Sequence, residues 1–268
     1  MIMSRKTIQI WMMAFLVLIS LPSLSQTIHI DETEATRKFP QVSLVFNRIF
    51  NNSELDSFYH KLSLLKRSRK GHITIAHIGD SHVESGFYPG AVKKGLQDFF
   101  GDSLSYYPFG INGARYETFI NSANFWEQIS GLHADLFIIS LGTNEAQGNG
   151  TNDADFLQQV NTMIEKLKKI SPHASILITT CADSFKAGHP NRDLWDLNVS
   201  LFTWCSSNNI PVWDLYRTTN GYGSAYNWIK NGMMDKDGVH YTAKAYEIQG
   251  RLLFNAIAKG YNSYVSSY

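Results

Sequence analysis

The chain is sparing with the residues that mark specialised protein classes. Its 268 residues include only two cysteines, Cys181 and Cys205. Two thiols cannot build a disulfide-dense scaffold, and neither has Cys or His neighbours at metal-ligand spacing. Two buried free thiols are the preferred reading over a disulfide. Charge is scarce too. Asp, Glu, Lys and Arg make up 18% of the residues and balance to a formal +1. No long basic run exists; Lys66, Arg67, Arg69 and Lys70 form one small cluster, read as a solvated helix end. Nucleic acid is therefore not an expected partner. Low charge with 44% hydrophobic content excludes global disorder and leaves room for one sizeable core. There is no internal repeat and no low-complexity linker.

The N-terminus is an exception to the even composition. Arg5 and Lys6 precede an apolar run over 8–21, and Ser23-Leu24-Ser25 offers small residues at the positions a signal peptidase reads. Residues 1–25 are thus expected to be a cleaved signal peptide. The run is short for a membrane span of about 20 residues, so no stable span is expected after cleavage. No Cys follows the run, so lipid attachment is not expected. The mature protein is expected in the periplasm or outside the cell.

Residues 26–70 read as an N-terminal extension with one amphipathic helix over 53–67, where Leu55, Phe58, Leu62 and Leu65 share a stripe. From 71 to 262 apolar strands alternate with helices. The strands are 72–78 (HITIAHI), 104–109, 135–141, 175–180 and 211–216. The helices are 88–100, 117–131, 153–170, 193–208 and 242–260. Several strands are apolar on consecutive positions, as when both faces of a sheet are covered. The expected fold is α/β: a three-layer α/β/α sandwich around a mainly parallel five-stranded sheet.

In such sheets ligands bind beyond the carboxyl ends of the strands. Four short segments there carry chemistry. Gly79-Asp80-Ser81-His82 follows the first strand and puts a serine hydroxyl in a strand-to-helix turn. Gly110-Ile111-Asn112-Gly113-Ala114 follows the second; its glycines permit close backbone approach or positive φ. Gly142-Thr143-Asn144-Glu145 follows the third, and an Asn amide there can donate to an oxyanion. Asp237-Gly238-Val239-His240 precedes the last helix, and a bend at Gly238 lets the carboxylate reach Nδ1–H of His240. Each alone also reads as an ordinary turn or cap. Together they supply a nucleophile, an oxyanion cradle and an oriented base, the set needed for acyl transfer.

These four blocks, in this order, resemble the SGNH (GDSL-like) hydrolase superfamily, from about residue 72 to about 258. No G-x-S-x-G elbow surrounds Ser81, which separates the chain from the α/β-hydrolase fold. The resemblance implies a flavodoxin-like SGNH fold and a serine esterase without cofactor or metal. It implies Ser81, Asp237 and His240 as catalytic residues, with Ser81, Gly113 and Asn144 around the oxyanion. Two departures stand out: Glu145 where relatives often have Asp, and His82 after the serine. The GDSH variant resembles exported carbohydrate or peptidoglycan O-acetylesterases. An acylated carbohydrate or other small ester is the expected substrate. O-acetyl transfer, lysophospholipase or thioesterase action on the same site, and a non-catalytic glycan-binding module, are the alternatives.

Around the blocks, Asp80 reads as a structural acceptor that shapes the turn and His77 as a satisfied core histidine. Glu145 reads as loop support and, with His82 and Glu84, as a candidate for the substrate pocket; His82 and Glu84 read equally well as solvent-facing. Phe87, Tyr88, Tyr107, Phe109, Tyr116, Trp195 and Tyr241 are candidates for an aromatic cleft rim.

Overall fold

The structure, a computed structural model, describes residues 27–39, 42–148 and 152–267. The expected signal peptide lies outside the described residues. The strands are β1 (Ile49–Phe50), β2 (Ile73–Gly79), β3 (Leu104–Gly110), β4 (Leu136–Ser140), β5 (Ser175–Thr179), β6 (Phe185–Lys186), β7 (His189–Pro190) and β8 (Val212–Trp213). The helices are α1 (Thr33–Lys38), α2 (Asp56–Ser68), α3 (Ser81–Glu84), α4 (Phe87–Phe100), α5 (Tyr116–Ile120), α6 (Ala123–Ser130), α7 (Thr143–Gln147), α8 (Asp153–Ile170), α9 (Arg192–Ser207), α10 (Leu215–Thr218), α11 (Ser224–Lys230) and α12 (Ala243–Ser267).

The main sheet has six strands in the order β1-β8-β5-β4-β2-β3, all parallel except the β1–β8 pair. Alternation along each strand divides the core in two. Ile73, Ile75, Leu136, Ile138 and Leu177 point to one face and pack with Phe58, Leu62, Val92, Leu96, Leu252 and Ala256 from α2, α4 and α12. Ala76, Ile78, Phe137, Ile139, Ile176 and Ile178 point to the other and meet Phe119, Ile129, Val160, Met163 and Leu201 from α5, α6, α8 and α9. Burying each large aliphatic side chain contributes about 1.5–3 kcal/mol, so both faces must be covered. This is the expected three-layer sandwich.

The sheet differs from expectation at one edge. Six strands replace five because Ile49 and Phe50 pair with Trp213 and Val212. Two residues are too few to show a period, so nothing in the sequence marked them. The strand expected over 211–216 stops at Trp213. Asp214 then accepts from Arg217 N at 3.0 Å and starts α10. The helix expected over 117–131 is two helices. Ser122 accepts from Phe125 N at 3.2 Å, a side-chain bond that begins a new helix. Asn152, expected as a cap, does accept from Ala154 N at 2.8 Å.

The described part of the N-terminal extension, residues 27–39 and 42–70, packs into the core. Ile28, Phe39, Val42, Leu55, Phe58 and Tyr59 belong to the same core cluster as the sheet. Asn47, fully buried, is the knot: Nδ2 donates to Glu32 Oε1 at 2.7 Å and Oδ1 accepts from Trp213 Nε1 at 3.0 Å. Lys259 Nζ adds bonds to Glu32 Oε1 and to the Asn47 carbonyl. Asn47→Ala leaves the buried indole N–H without its acceptor. It should lower the unfolding free energy by about 1–3 kcal/mol, read from the urea midpoint. An unchanged midpoint would show that these hydrogen bonds contribute nothing to stability.

Candidate active site

The parallel strands deliver three of the sequence blocks to one end of the sheet, and the loop before α12 brings the fourth to them. The turn after β2 is built by close packing. A Cβ on Gly79 would stand 2.2 Å from Val83 Cγ2 and 2.9 Å from the Ser140 carbonyl oxygen. A Cβ on Gly110 would stand 2.2 Å from the Glu84 amide nitrogen. No side chain fits at either position, and the absence of both lets α3 sit directly on the sheet edge.

Asp80 caps that turn. It is buried, and Oδ1 accepts from the His82 amide at 3.0 Å. Ser81, the next residue, places Oγ 2.9 Å from His240 Nε2. His240 Nδ1 lies 2.7 Å from Asp237 Oδ2. Asp237 Oδ1 accepts from the amides of Val239 at 2.8 Å and His240 at 3.0 Å. Gly238 has φ +70, the left-handed bend that folds the loop back on itself. Partial burial pushes the Asp237 carboxyl up. The bonds from the His240 ring and the two amides outweigh it and hold the group below its ordinary value. It therefore stays ionised beside the imidazole.

Asn144 enters from α7. Its Nδ2 donates to the Ala114 carbonyl at 3.0 Å and, more weakly, to Asp80 Oδ2 at 3.3 Å. Gly113 sits in the turn closed by Ala114 N on Ile111 O, with φ +72, and Ile111 N donates to the Gly79 carbonyl at 3.1 Å. The second and third blocks are thus tied to the serine turn and to each other.

The remaining candidates separate. His82 is part-buried beside the site: its Nδ1 lies 2.7 Å from Tyr246 Oη, and its ring centre is 5.7 Å from that of His240. Burial, the largest influence, and the neighbouring His240 lower its pKa against the pull of Asp80, so it stays neutral. Glu84 is exposed, with its backbone against Gly110. Glu145 does not belong to an open pocket. It is 4% exposed, and Oε1 accepts from Tyr116 N at 2.7 Å, fixing the start of α5. Burial raises its pKa to about 7. Of the expected rim aromatics, Tyr88, Tyr116 and Tyr241 are core residues; Phe87 and Tyr107 are exposed. His77 is buried and bonded to Tyr106 and Ser140, as a core histidine should be. Cys181 and Cys205 are both free and buried. No group of metal-binding side chains occurs and no helix is long and apolar enough to cross a membrane, among the described residues.

Sequence reading missed the hairpin β6–β7 and the helix α11 beside it. Their contacts with the site join residues tens of positions apart, and no motif announces them.

A mainly parallel sheet under helices on both faces, with these loops at one end, is the SGNH hydrolase architecture. The chain belongs to the GDSL-like lipase/acylhydrolase family, whose profile matches residues 77–248, and is a carboxylic ester hydrolase. Among solved structures it is similar to a peptidoglycan O-acetylesterase, with 18% identity over 77% of this chain and 96% of that one at a TM-score of 0.73. A GDSL-like lipase from Bacteroides thetaiotaomicron is 20% identical over 76% and 98%, at 0.53. An acetylxylan esterase from Geobacillus stearothermophilus is 15% identical over 70% and 95%, at 0.55. No curated protein sequence matches the chain.

Glu145 makes stability depend on pH. Folded, it keeps its proton up to about pH 7; unfolded, it releases it near 4.5. Between these values the folded chain binds more protons, so raising the pH through this window lowers stability. Glu145→Gln keeps an acceptor for the Tyr116 amide and has no charge to bury. The variant should match the wild type near pH 4.5 and become the more stable of the two above about pH 7, by chemical denaturation at both ends. A constant difference would refute the burial argument. Asp183, raised to about 6 by burial, leaves a residual slope in both proteins.

Proposed function

We propose that the protein is an exported serine esterase that removes O-acetyl groups from a glycan or peptidoglycan. The observation that carries the chemistry is the unbroken chain Ser81 Oγ, His240 and Asp237, with links of 2.9 and 2.7 Å. Asp237 accepts Nδ1–H of His240, which leaves the Nε2 lone pair facing the serine hydroxyl. Ser81 Oγ attacks the ester carbonyl while Nε2 takes its proton. Asp237 steadies the imidazolium. The tetrahedral oxyanion is met by the Ser81 and Gly113 amides and by Asn144 Nδ2, whose long contact with Asp80 is the one it gives up. The sugar hydroxyl leaves with the proton from Nε2. Water then cleaves the acyl-enzyme by the same steps.

The glycan reading is supported by fold likeness to a peptidoglycan O-acetylesterase and an acetylxylan esterase. Export is supported by Arg5, Lys6 and the apolar run over 8–21, followed by the small residues Ser23 and Ser25. A cleaved leader predicts an exported chain whose intact mass corresponds to a start near Gln26; a full-length exported chain would refute cleavage.

The chemistry is tested with short-chain esters and a fluorophosphonate probe. Ser81→Ala should abolish both turnover and labelling. Asn144→Ala should lose roughly 10²–10³ in turnover while still taking the label slowly. Full activity in Ser81→Ala would overturn the triad, and near-full activity in Asn144→Ala would remove that residue from the oxyanion site.

A further inference from the structure

The hairpin β6–β7 takes no part in the chain from Ser81 to Asp237, yet it is clamped to both sides of it. Phe185 N donates to the Gly238 carbonyl at 2.6 Å, within the loop that carries Asp237 and His240. A Cβ on Gly238 would stand 2.7 Å from the Phe185 ring, so Phe185 excludes a side chain there in addition to the positive φ. On the other side the Phe185 carbonyl accepts from Gln147 Nε2 at 2.7 Å, and Lys186 Nζ donates to the Ala146 carbonyl at 3.1 Å. Those residues end α7, the helix of Asn144. The hairpin therefore spans from the His240 loop to the Asn144 helix.

Aromatic side chains flank the hairpin. Tyr226, from α11, meets the half-buried Phe185 edge-on, ring centres 4.6 Å apart, and is itself 52% exposed. Tyr222, 51% exposed, lies 6.2 Å from Trp195, over which the Arg192 guanidinium stacks at 3.7 Å. Large rings left in water beside a reactive loop forgo burial that the core would reward, and mark binding surfaces. Their pattern selects the ligand. The rings are interleaved with Lys186, Arg192 and Asp193, so the strip does not suit an acyl chain or a lipid surface. Aromatic faces bordered by hydroxyls and charges suit a pyranose, which offers a C–H face for stacking and hydroxyls around its edge.

We propose that Phe185 and Tyr226 form a sugar-stacking subsite beside the triad, which binds a pyranose ring of the acylated substrate. The inference rests on the glycan reading above and names where that glycan is held.

The experiment compares wild type, Tyr226→Ala and Tyr226→Phe on acetylated xylo-oligosaccharides and O-acetylated peptidoglycan fragments. Ethyl acetate, followed by pH-stat titration, is the reference because it has no ring to stack. In Tyr226→Ala the ratio of oligosaccharide to ethyl acetate kcat/KM should fall about tenfold, through KM, and Tyr226→Phe should restore most of it. An unchanged ratio with active wild type overturns the subsite. Equal losses on both substrates also overturn it, since Tyr226 would then merely support the His240 loop through Phe185. Wild type that cleaves ethyl acetate but neither glycan refutes the glycan reading, and the subsite falls with it.

Discussion

At Gly79 and Gly110 the backbone of one segment lies so close to the next that a single methyl group has no room. This contact sets the position of the turn that carries Ser81. Strand pairing brings β3 and β4 alongside β2, and the missing side chains let α3 drop onto them. The buried Asp80 carboxylate then ties the turn to its neighbours, through the His82 amide and Asn144 Nδ2. A carboxylate with little access to water must be hydrogen-bonded, and those bonds make the turn rigid. Ser81, Asn144 and the Gly113 loop are therefore held by one set of contacts.

Beneath this edge the sheet carries a polar thread. Tyr106 Oη, His77, Ser140 and Thr179 are linked by bonds of 2.8 to 2.9 Å. Burial lowers the His77 pKa to about 3, so the ring is neutral and serves only as a hydrogen-bonding spacer. The thread crosses four adjacent strands, β3, β2, β4 and β5. It gives the floor of the site a fixed register, in a core that apolar packing alone would leave freer to slide.

Above the edge the conditions reverse. Asp237 and His240 keep roughly half of their side-chain surface in water. Their geometry comes from the local bend at Gly238 and two backbone amides, and the Phe185 ring backs that bend. The rigid part of the site is thus the serine turn. The histidine loop is a surface element braced from one side by the hairpin.

Sequence determined what depends on local order. Strands that are apolar on successive positions, the helix that Asn152 caps, three blocks at strand ends and a fourth before the last helix are written in neighbouring residues, so the sandwich and the grouping of Ser81, Asp237 and His240 could be read directly. The Asp-Gly-Val-His spacing is local enough to specify its own hydrogen bonds. Tertiary structure decided the rest. The edge strand at Ile49 and Phe50 exists only because Trp213 and Val212 lie beside it. Glu145 became a buried strut because Tyr116, 29 positions away, presents its amide there. The packing of Phe185 against Tyr226 and Gly238 joins three segments distant in sequence. Such contacts cost nothing in local propensity and leave no period behind. They are set by which surfaces the packed sheet brings face to face, and only the folded chain contains that information.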